Sequence, residues 1–126
     1  MNGLQLAYLG DSVLELMVRE HLLLHHLGSI EQLHKRTVHF TNAKSQAKFL
    51  EPLLQELTAD EVALVKKGRN SSASQGKKTA SVMEYKHATG LETLLGQLYL
   101  DNPSRLKEIV QRYIEIGSAY GHTTTG

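Results

Sequence analysis

Between Leu4 and Leu27 apolar residues recur at helical spacing, marked by Leu6, Leu9, Val13, Leu16, Met17, Leu23 and Leu27. The pattern predicts a long first helix. Gly10 interrupts it where glycine costs about 1 kcal/mol relative to alanine, so it points to close helix packing or to access to a neighbouring functional group. Gly28 reads as the stop, and Ser29 with Gln32 forms a capping box that opens a second helix over Ile30 to Phe40. A third is predicted from Ala43 to Leu57, burying Ala43, Ala47, Leu50 and Leu54. Pro52 should kink it, because proline brings no N–H to the ladder and crowds the preceding turn. Thr58 with Glu61 forms the next capping box, for a segment running through Val62 and Val65 to a stop at Lys67-Gly68. Ser81 with Glu84 opens a helix through Leu100, and Asn102-Pro103 starts the last, which carries Leu106, Ile109, Val110, Tyr113 and Ile116.

Neither alternating strands nor a βαβ repeat competes with this reading. The expected architecture is all-α, five to seven helices in a single domain over residues 1–120, with 121–126 a flexible tail. A length of 126 residues suits one hydrophobic core rather than two independent ones. No apolar run approaches the roughly 20 residues of a membrane-spanning helix. The absence of cysteine excludes disulfides, thiol chemistry and Cys-based metal centres. The first residues resemble neither a secretory signal nor a transit segment, so the cytoplasm is the expected compartment.

Net charge is only +1, but its distribution is uneven. Lys66, Lys67, Arg69, Lys77 and Lys78 occur with no acid among them, in a run that overlaps a connection rich in Gly, Ser and Asn from Gly68 to Thr79. A second acid-free stretch, His34 to Lys48, carries Lys35, Arg36, Lys44 and Lys48. Such segments can present positive surfaces to a phosphate polymer; solvated helix faces account for the composition equally well. Two acids stand apart from the general surface charge. Asp11 follows Gly10 in an otherwise apolar helix, and Glu92 lies in Gly90-Leu-Glu-Thr-Leu-Leu-Gly96. Brought together, two carboxylates bind a hard divalent cation and leave coordination positions for water and phosphate. Sequence spacing does not show that they meet, and a lone acid is ordinarily a solubilising residue.

The segment Leu4-Gln-Leu-Ala-Tyr-Leu-Gly-Asp-Ser-Val-Leu-Glu-Leu16 resembles the signature helix of the ribonuclease III family. The similarity continues through Leu33-His-Lys-Arg-Thr, Asn42-Ala-Lys-Ser-Gln-Ala47, Val65-Lys-Lys-Gly-Arg-Asn70 and Leu91-Glu-Thr-Leu-Leu-Gly-Gln-Leu-Tyr-Leu100. It covers about residues 3–115, and the whole resembles the short Mini-ribonuclease III branch. The resemblance implies a helical catalytic domain that forms a two-fold homodimer and cleaves double-stranded RNA with Mg²⁺, Mn²⁺ being a possible substitute. Asp11 matches the catalytic Asp of the signature helix, and Glu92 matches the metal-binding Glu of the later helix. The products implied carry a 5′-phosphate and a 3′-hydroxyl. The substrate implied is precursor large-subunit (23S-type) ribosomal RNA, with assistance from a ribosomal protein possible.

Long family members add a separate RNA-binding domain; the short branch lacks one, so RNA affinity is expected to rest on the catalytic domain itself. The residues expected to meet RNA are Lys66, Lys67, Arg69, Asn70, Lys77 and Lys78, with His34, Lys35, Arg36 and Lys44. Two positions depart from the long-family acidic pattern. Ala7 stands one turn before Asp11, and Thr89 stands three residues before Glu92, a reduced acidic set characteristic of the short branch. They motivate a competing expectation, a catalytically inactive RNA-binding or ribosome-associated relative. Glu15 is expected to be a surface charge or to pair with Arg19, and Tyr8 and Tyr99 are expected to pack at the edges of their motifs.

Overall fold

A computed structural model describes residues 1–25, 28–72 and 81–121. Its helices are α1 (Gly3–His25), α2 (Ile30–Thr41), α3 (Ala43–Leu54), α4 (Ala59–Ser71), α5 (Val82–Asp101) and α6 (Pro103–Gly121), with no strand among the described residues. The all-α expectation holds. The three capping boxes form as read: Ser29 with Gln32, Thr58 with Glu61, and Ser81 with Glu84 each exchange reciprocal side-chain to backbone hydrogen bonds. Leu27, Lys77, Lys78 and the expected tail beyond Gly121 lie outside the described residues.

α5 is the central helix, with α1, α3, α4 and α6 packed around it. Its fully buried Leu91, Leu94 and Leu95 meet Leu14 and Val18 of α1, Phe49, Leu50 and Leu53 of α3, and Ile109 and Tyr113 of α6 in one apolar cluster. The crossing of α1 on α5 is set by glycines on both helices. A Cβ built on Gly10 would overlap the carbonyl oxygen of Glu92 and lie 2.6 Å from its carbonyl carbon. One built on Gly96 would overlap the carbonyl oxygen of Leu6. The two backbones therefore approach more closely than any side chain allows, which is the packing role that Gly10 suggested.

Four expectations are corrected. α4 does not stop at Lys67-Gly68 but continues to Ser71. Gly68 is there for packing, because a Cβ on it would lie 2.6 Å from Cβ of Thr93 and 2.9 Å from Cα of Gly90. On α3 the fully buried residues are Gln46, Phe49, Leu50 and Leu53, so only Leu50 of the expected stripe is retained there, while Ala43, Ala47 and Leu54 are half-buried. α3 ends at Leu54, two residues after Pro52, and a turn replaces its expected continuation to Leu57. On α1 the buried face is Leu6, Ala7, Gly10, Val13, Leu14, Val18 and Leu22, which leaves Leu16 and Leu23 exposed.

The turn between α3 and α4 is tied to α6 by charge. Arg105 Nε donates to Glu61 Oε2 at 2.8 Å, and its Nη2 donates to Glu61 Oε1 at 3.0 Å and to the Glu56 carbonyl at 3.3 Å. The Arg105 guanidinium, opposed by desolvation and aided by the Thr58 backbone N–H, holds the Glu61 carboxyl below its ordinary value of 4.5. A lowered folded-state value means that this stabilisation is present above pH 4.5 and is lost as pH falls through the folded-state value. Glu61→Gln is expected to cost about 1–2 kcal/mol at neutral pH. In urea titrations the difference from the parent chain should shrink as the solution is acidified below pH 4.5, and a pH-independent difference would contradict the assignment.

Candidate active site

Three parts of the chain converge on an open cleft of about 720 Å³. α1 contributes Leu4, Ala7, Tyr8 and Asp11, and α5 contributes Tyr85, Ala88, Thr89 and Glu92. Each set has the spacing i, i+3, i+4, i+7, so each is one helical face aimed at the same space. The third wall is the α2–α3 corner, Thr41, Asn42, Ala43, Lys44 and Gln46. One residue makes that corner. The Asn42 backbone N–H donates to the Val38 carbonyl at the end of α2, while its side-chain oxygen accepts from Ser45 N at 2.8 Å and caps α3. Gln46 follows one turn later and reaches the inner wall of the cleft.

Asp11 and Glu92 therefore line one cavity although they are far apart in sequence. The close approach of Gly10 to the Glu92 backbone fixes their relation, since Asp11 is the next residue along α1. Asp11 is exposed and Glu92 half-buried. On the inner side, Gln46 Nε2 donates to Glu92 Oε2 at 3.3 Å and to the Thr41 carbonyl at 2.8 Å. Behind it the Tyr113 hydroxyl donates to the Phe40 carbonyl at 2.6 Å. Burial, and then the Glu92 carboxylate, push the Tyr113 phenol well above its ordinary range, so it remains a neutral donor.

Ala7 and Thr89 both line the cleft and bring no carboxylate to it. Thr89 is buried and its hydroxyl donates to the Tyr85 carbonyl within its own helix, so it is already engaged. Among the described residues no group of three or more His, Asp or Glu side chains is arranged to hold a metal. The available donors are oxygens, those of the Asp11 and Glu92 carboxylates; the Gln46 Oε1 is a buried acceptor with no hydrogen-bond partner. That set fits Mg²⁺, which is held by one or two carboxylates together with substrate phosphate while keeping several waters.

The other residues singled out from sequence are dispersed. Lys44 is at the cleft, whereas His34 and Lys35 border a separate apolar groove between α1 and α2 with Leu22, Leu23, Ile30 and Leu33. Arg36 is exposed on α2; Lys66, Lys67 and Asn70 are exposed on α4, with Arg69 half-buried beside them. Glu15 pairs with Arg19 on α1, as expected. Tyr8 and Tyr99 do not pack as expected: Tyr8 is 85% exposed at the rim of the cleft and Tyr99 is 50% exposed. The buried face of α1 is turned toward α5, which leaves Tyr8 on its outer side. Sequence reasoning missed Gln46 and Tyr85 as cleft residues; a glutamine on the buried face of α3, one turn after a capping Asn, was the signal available.

Residues 4–103 match the Ribonuclease III domain family. The chain is 37% identical to Mini-ribonuclease 3 of Clostridium tetani over 92% of its length and 78% of that protein. It is 40% identical to Mini-ribonuclease 3 of Brevibacillus brevis, covering 91% of this chain and 87% of that one. A crystal structure of a Fusobacterium nucleatum protein aligns with a TM-score of 0.80 at 31% identity, covering 91% of this chain and 93% of that one.

Proposed function

The chain belongs to the ribonuclease III family, in its Mini-ribonuclease 3 branch, and we propose that it is a Mg²⁺-dependent endoribonuclease that hydrolyses phosphodiesters in double-stranded RNA. Family membership supports nuclease activity in general. The observation that carries the finer reading is that Asp11 and Glu92 line one open cleft. These two carboxylates would hold the cation, and Mn²⁺ suits the same oxygen donors. When bound, the cation supplies an activated water and stabilises charge on the phosphate and on the leaving oxygen. Asp11 and Glu92 orient the site without acting as covalent nucleophiles. Lys44 at the α2–α3 corner draws a backbone phosphate toward them. The products are a 5′-phosphate and a 3′-hydroxyl.

Duplex RNA conceals its bases and is met through its backbone and 2′-hydroxyls. Lys66, Lys67, Arg69 and Asn70 of α4, His34, Lys35 and Arg36 of α2, and Lys77 and Lys78 are the groups of the catalytic domain proposed to dock it. A two-fold homodimer would supply one active site for each strand. Its support is the exposed apolar side chains of α1, Leu4 and Tyr8 at the rim of the cleft and Leu16 further along, on the helix that carries Asp11. Among the described residues no helix is long and apolar enough to cross a membrane. The proposed setting is cytoplasmic maturation of precursor large-subunit ribosomal RNA.

The test is incubation of pure protein with a structured RNA duplex and Mg²⁺, mapping both strands and measuring mass by light scattering. Paired cuts on opposite strands with 5′-phosphate ends, made by a two-chain particle, are expected. Sustained RNA binding with no cleavage across duplexes and divalent metals would favour the inactive RNA-binding alternative, to which Ala7 and Thr89 lend support. A monomer throughout, under cleavage conditions as well, would remove the dimer.

A further inference from the structure

Among the described residues, the carboxamide of Gln46 carries a buried polar atom that no protein group satisfies. It is only 2% exposed, at the inner wall of the cleft that contains Asp11 and Glu92. A carboxamide nitrogen carries two hydrogens, and both have acceptors here, the Thr41 carbonyl at 2.8 Å and Glu92 Oε2 at 3.3 Å. Turning the group over would set its oxygen against those same two oxygens, so the orientation is fixed by chemistry. The consequence falls on Oε1, which is buried and without a hydrogen-bond partner. A stranded acceptor of this kind destabilises a folded protein, and leucine would occupy similar space without that cost. Leucine could not hold Glu92, however, and glutamate would set a like charge against it.

We propose that Gln46 is a positioning residue for the catalytic cation, its Nε2 orienting the Glu92 carboxylate that would hold it. The inference rests on the nuclease reading, in which Asp11 and Glu92 hold Mg²⁺. It gives a buried amide, kept at the cost of a stranded acceptor, a function that a hydrocarbon side chain could not serve. Gln46 holds Glu92 from a neutral side chain, without adding repulsion to it. Because it acts through Glu92, its effect should appear in cation affinity rather than in RNA docking, which the exposed cations serve.

The experiment compares the parent chain with Gln46→Leu, Gln46→Met and Glu92→Gln. Mn²⁺ binding is measured by electron paramagnetic resonance without RNA, duplex RNA affinity is measured in Ca²⁺, and thermal unfolding reports the fold. Gln46→Leu is expected to weaken Mn²⁺ binding about 10-fold, the lower end of the effect of removing a group that orients a metal ligand. Its duplex affinity should stay within about twofold, and at saturating Mn²⁺ its KM should be unchanged while kcat falls. Gln46→Met keeps the length and nearly the volume of the side chain without its polar atoms, and should weaken Mn²⁺ binding as much as Gln46→Leu. Parent-like Mn²⁺ affinity in folded Gln46→Leu would overturn the assignment. So would parent-like affinity in Gln46→Met, which would mark a packing role. If Gln46→Leu does not fold, Gln46→Met decides alone, an affinity equal to the parent's counting against the proposal. Should the parent bind Mn²⁺ no better than Glu92→Gln, the metal-site reading fails and this inference fails with it. A difference between those two, with Gln46→Leu equal to the parent, removes only the role of Gln46.

Discussion

Asp11→Asn and Glu92→Gln are each expected to reduce single-turnover cleavage of duplex RNA by about 10³-fold or more. A cation that stabilises charge on a reacting phosphate supplies several kcal/mol, and about 1.4 kcal/mol corresponds to each tenfold in rate. Both substitutions keep the size of the side chain and remove its charge, so the cation loses its anionic ligand while the walls of the cleft remain. Asp11 is exposed and makes no core contact that its amide would disturb. Its variant should unfold within about 0.5 kcal/mol of the parent. Glu92 accepts from Gln46 Nε2, and a glutamine oxygen can accept the same bond, so that variant too should fold. Duplex binding should be largely retained by both, because the phosphate-docking cations are untouched. The double variant should be little worse than either single one, since two ligands of one cation act as a unit. Near-normal single-turnover rates for both folded variants at saturating RNA and Mg²⁺ would remove the proposed chemistry. A defect confined to thermal stability would leave the acids a structural role only.

Local chemistry was the most legible part of this chain. A capping box is a contact between residues three apart, so Ser29 with Gln32, Thr58 with Glu61 and Ser81 with Glu84 announced three helix starts from sequence alone. The last helix was equally clear, because its buried Leu106, Ile109, Val110, Tyr113 and Ile116 form one stripe opposite a charged face. The inner face of α1 was harder to choose. Leu4, Leu16, Leu23 and Leu24 continue its apolar character around the helix, and they lie exposed while Leu14, Val18 and Leu22 are buried. Periodicity cannot select between two apolar faces when the choice is made by a backbone crossing at Gly10 and Gly96.

Glycine was misread at Gly68 for a related reason. A helix stop and a close helix contact call for the same residue, and only the position of Thr93 and Gly90 distinguishes them. The cleft followed the same division. Spacing left the meeting of Asp11 and Glu92 open, and it was the resemblance of their motifs to the ribonuclease III family that paired them; the match over residues 4–103 bears out that resemblance. Gln46 was passed over because a stripe argument selects apolar residues, and its neighbours Ala43 and Ala47 were chosen instead. A polar residue fully inside a helix face becomes informative only when its hydrogen-bond partners are known.

Gly10→Ala should be the most disruptive single methyl group that can be added to the molecule near its site. In an exposed helix interior this change stabilises by about 1 kcal/mol. Here the new Cβ would overlap the Glu92 carbonyl oxygen and lie 2.9 Å from the Gly96 nitrogen. Those atoms belong to the backbone of the central helix, so no side-chain rotation relieves the overlap. Overpacked cores lose about 1–3 kcal/mol, and a clash between two backbones belongs at the top of that range or above it. A domain of this size has roughly 5–15 kcal/mol in total, so the variant can remain folded only by moving α1 away from α5. That motion carries Asp11 from Glu92, and a displacement of about 1 Å at a reacting centre costs about 10²-fold in rate. Destabilisation and loss of cleavage are therefore expected together, measured by urea titration and by single-turnover assay on the folded fraction. Ser12→Ala, at an exposed position two residues along the same helix, serves as the control and should change neither by much. A Gly10→Ala protein with parent-like stability would show that the close crossing of α1 and α5 does not set the geometry of the cleft.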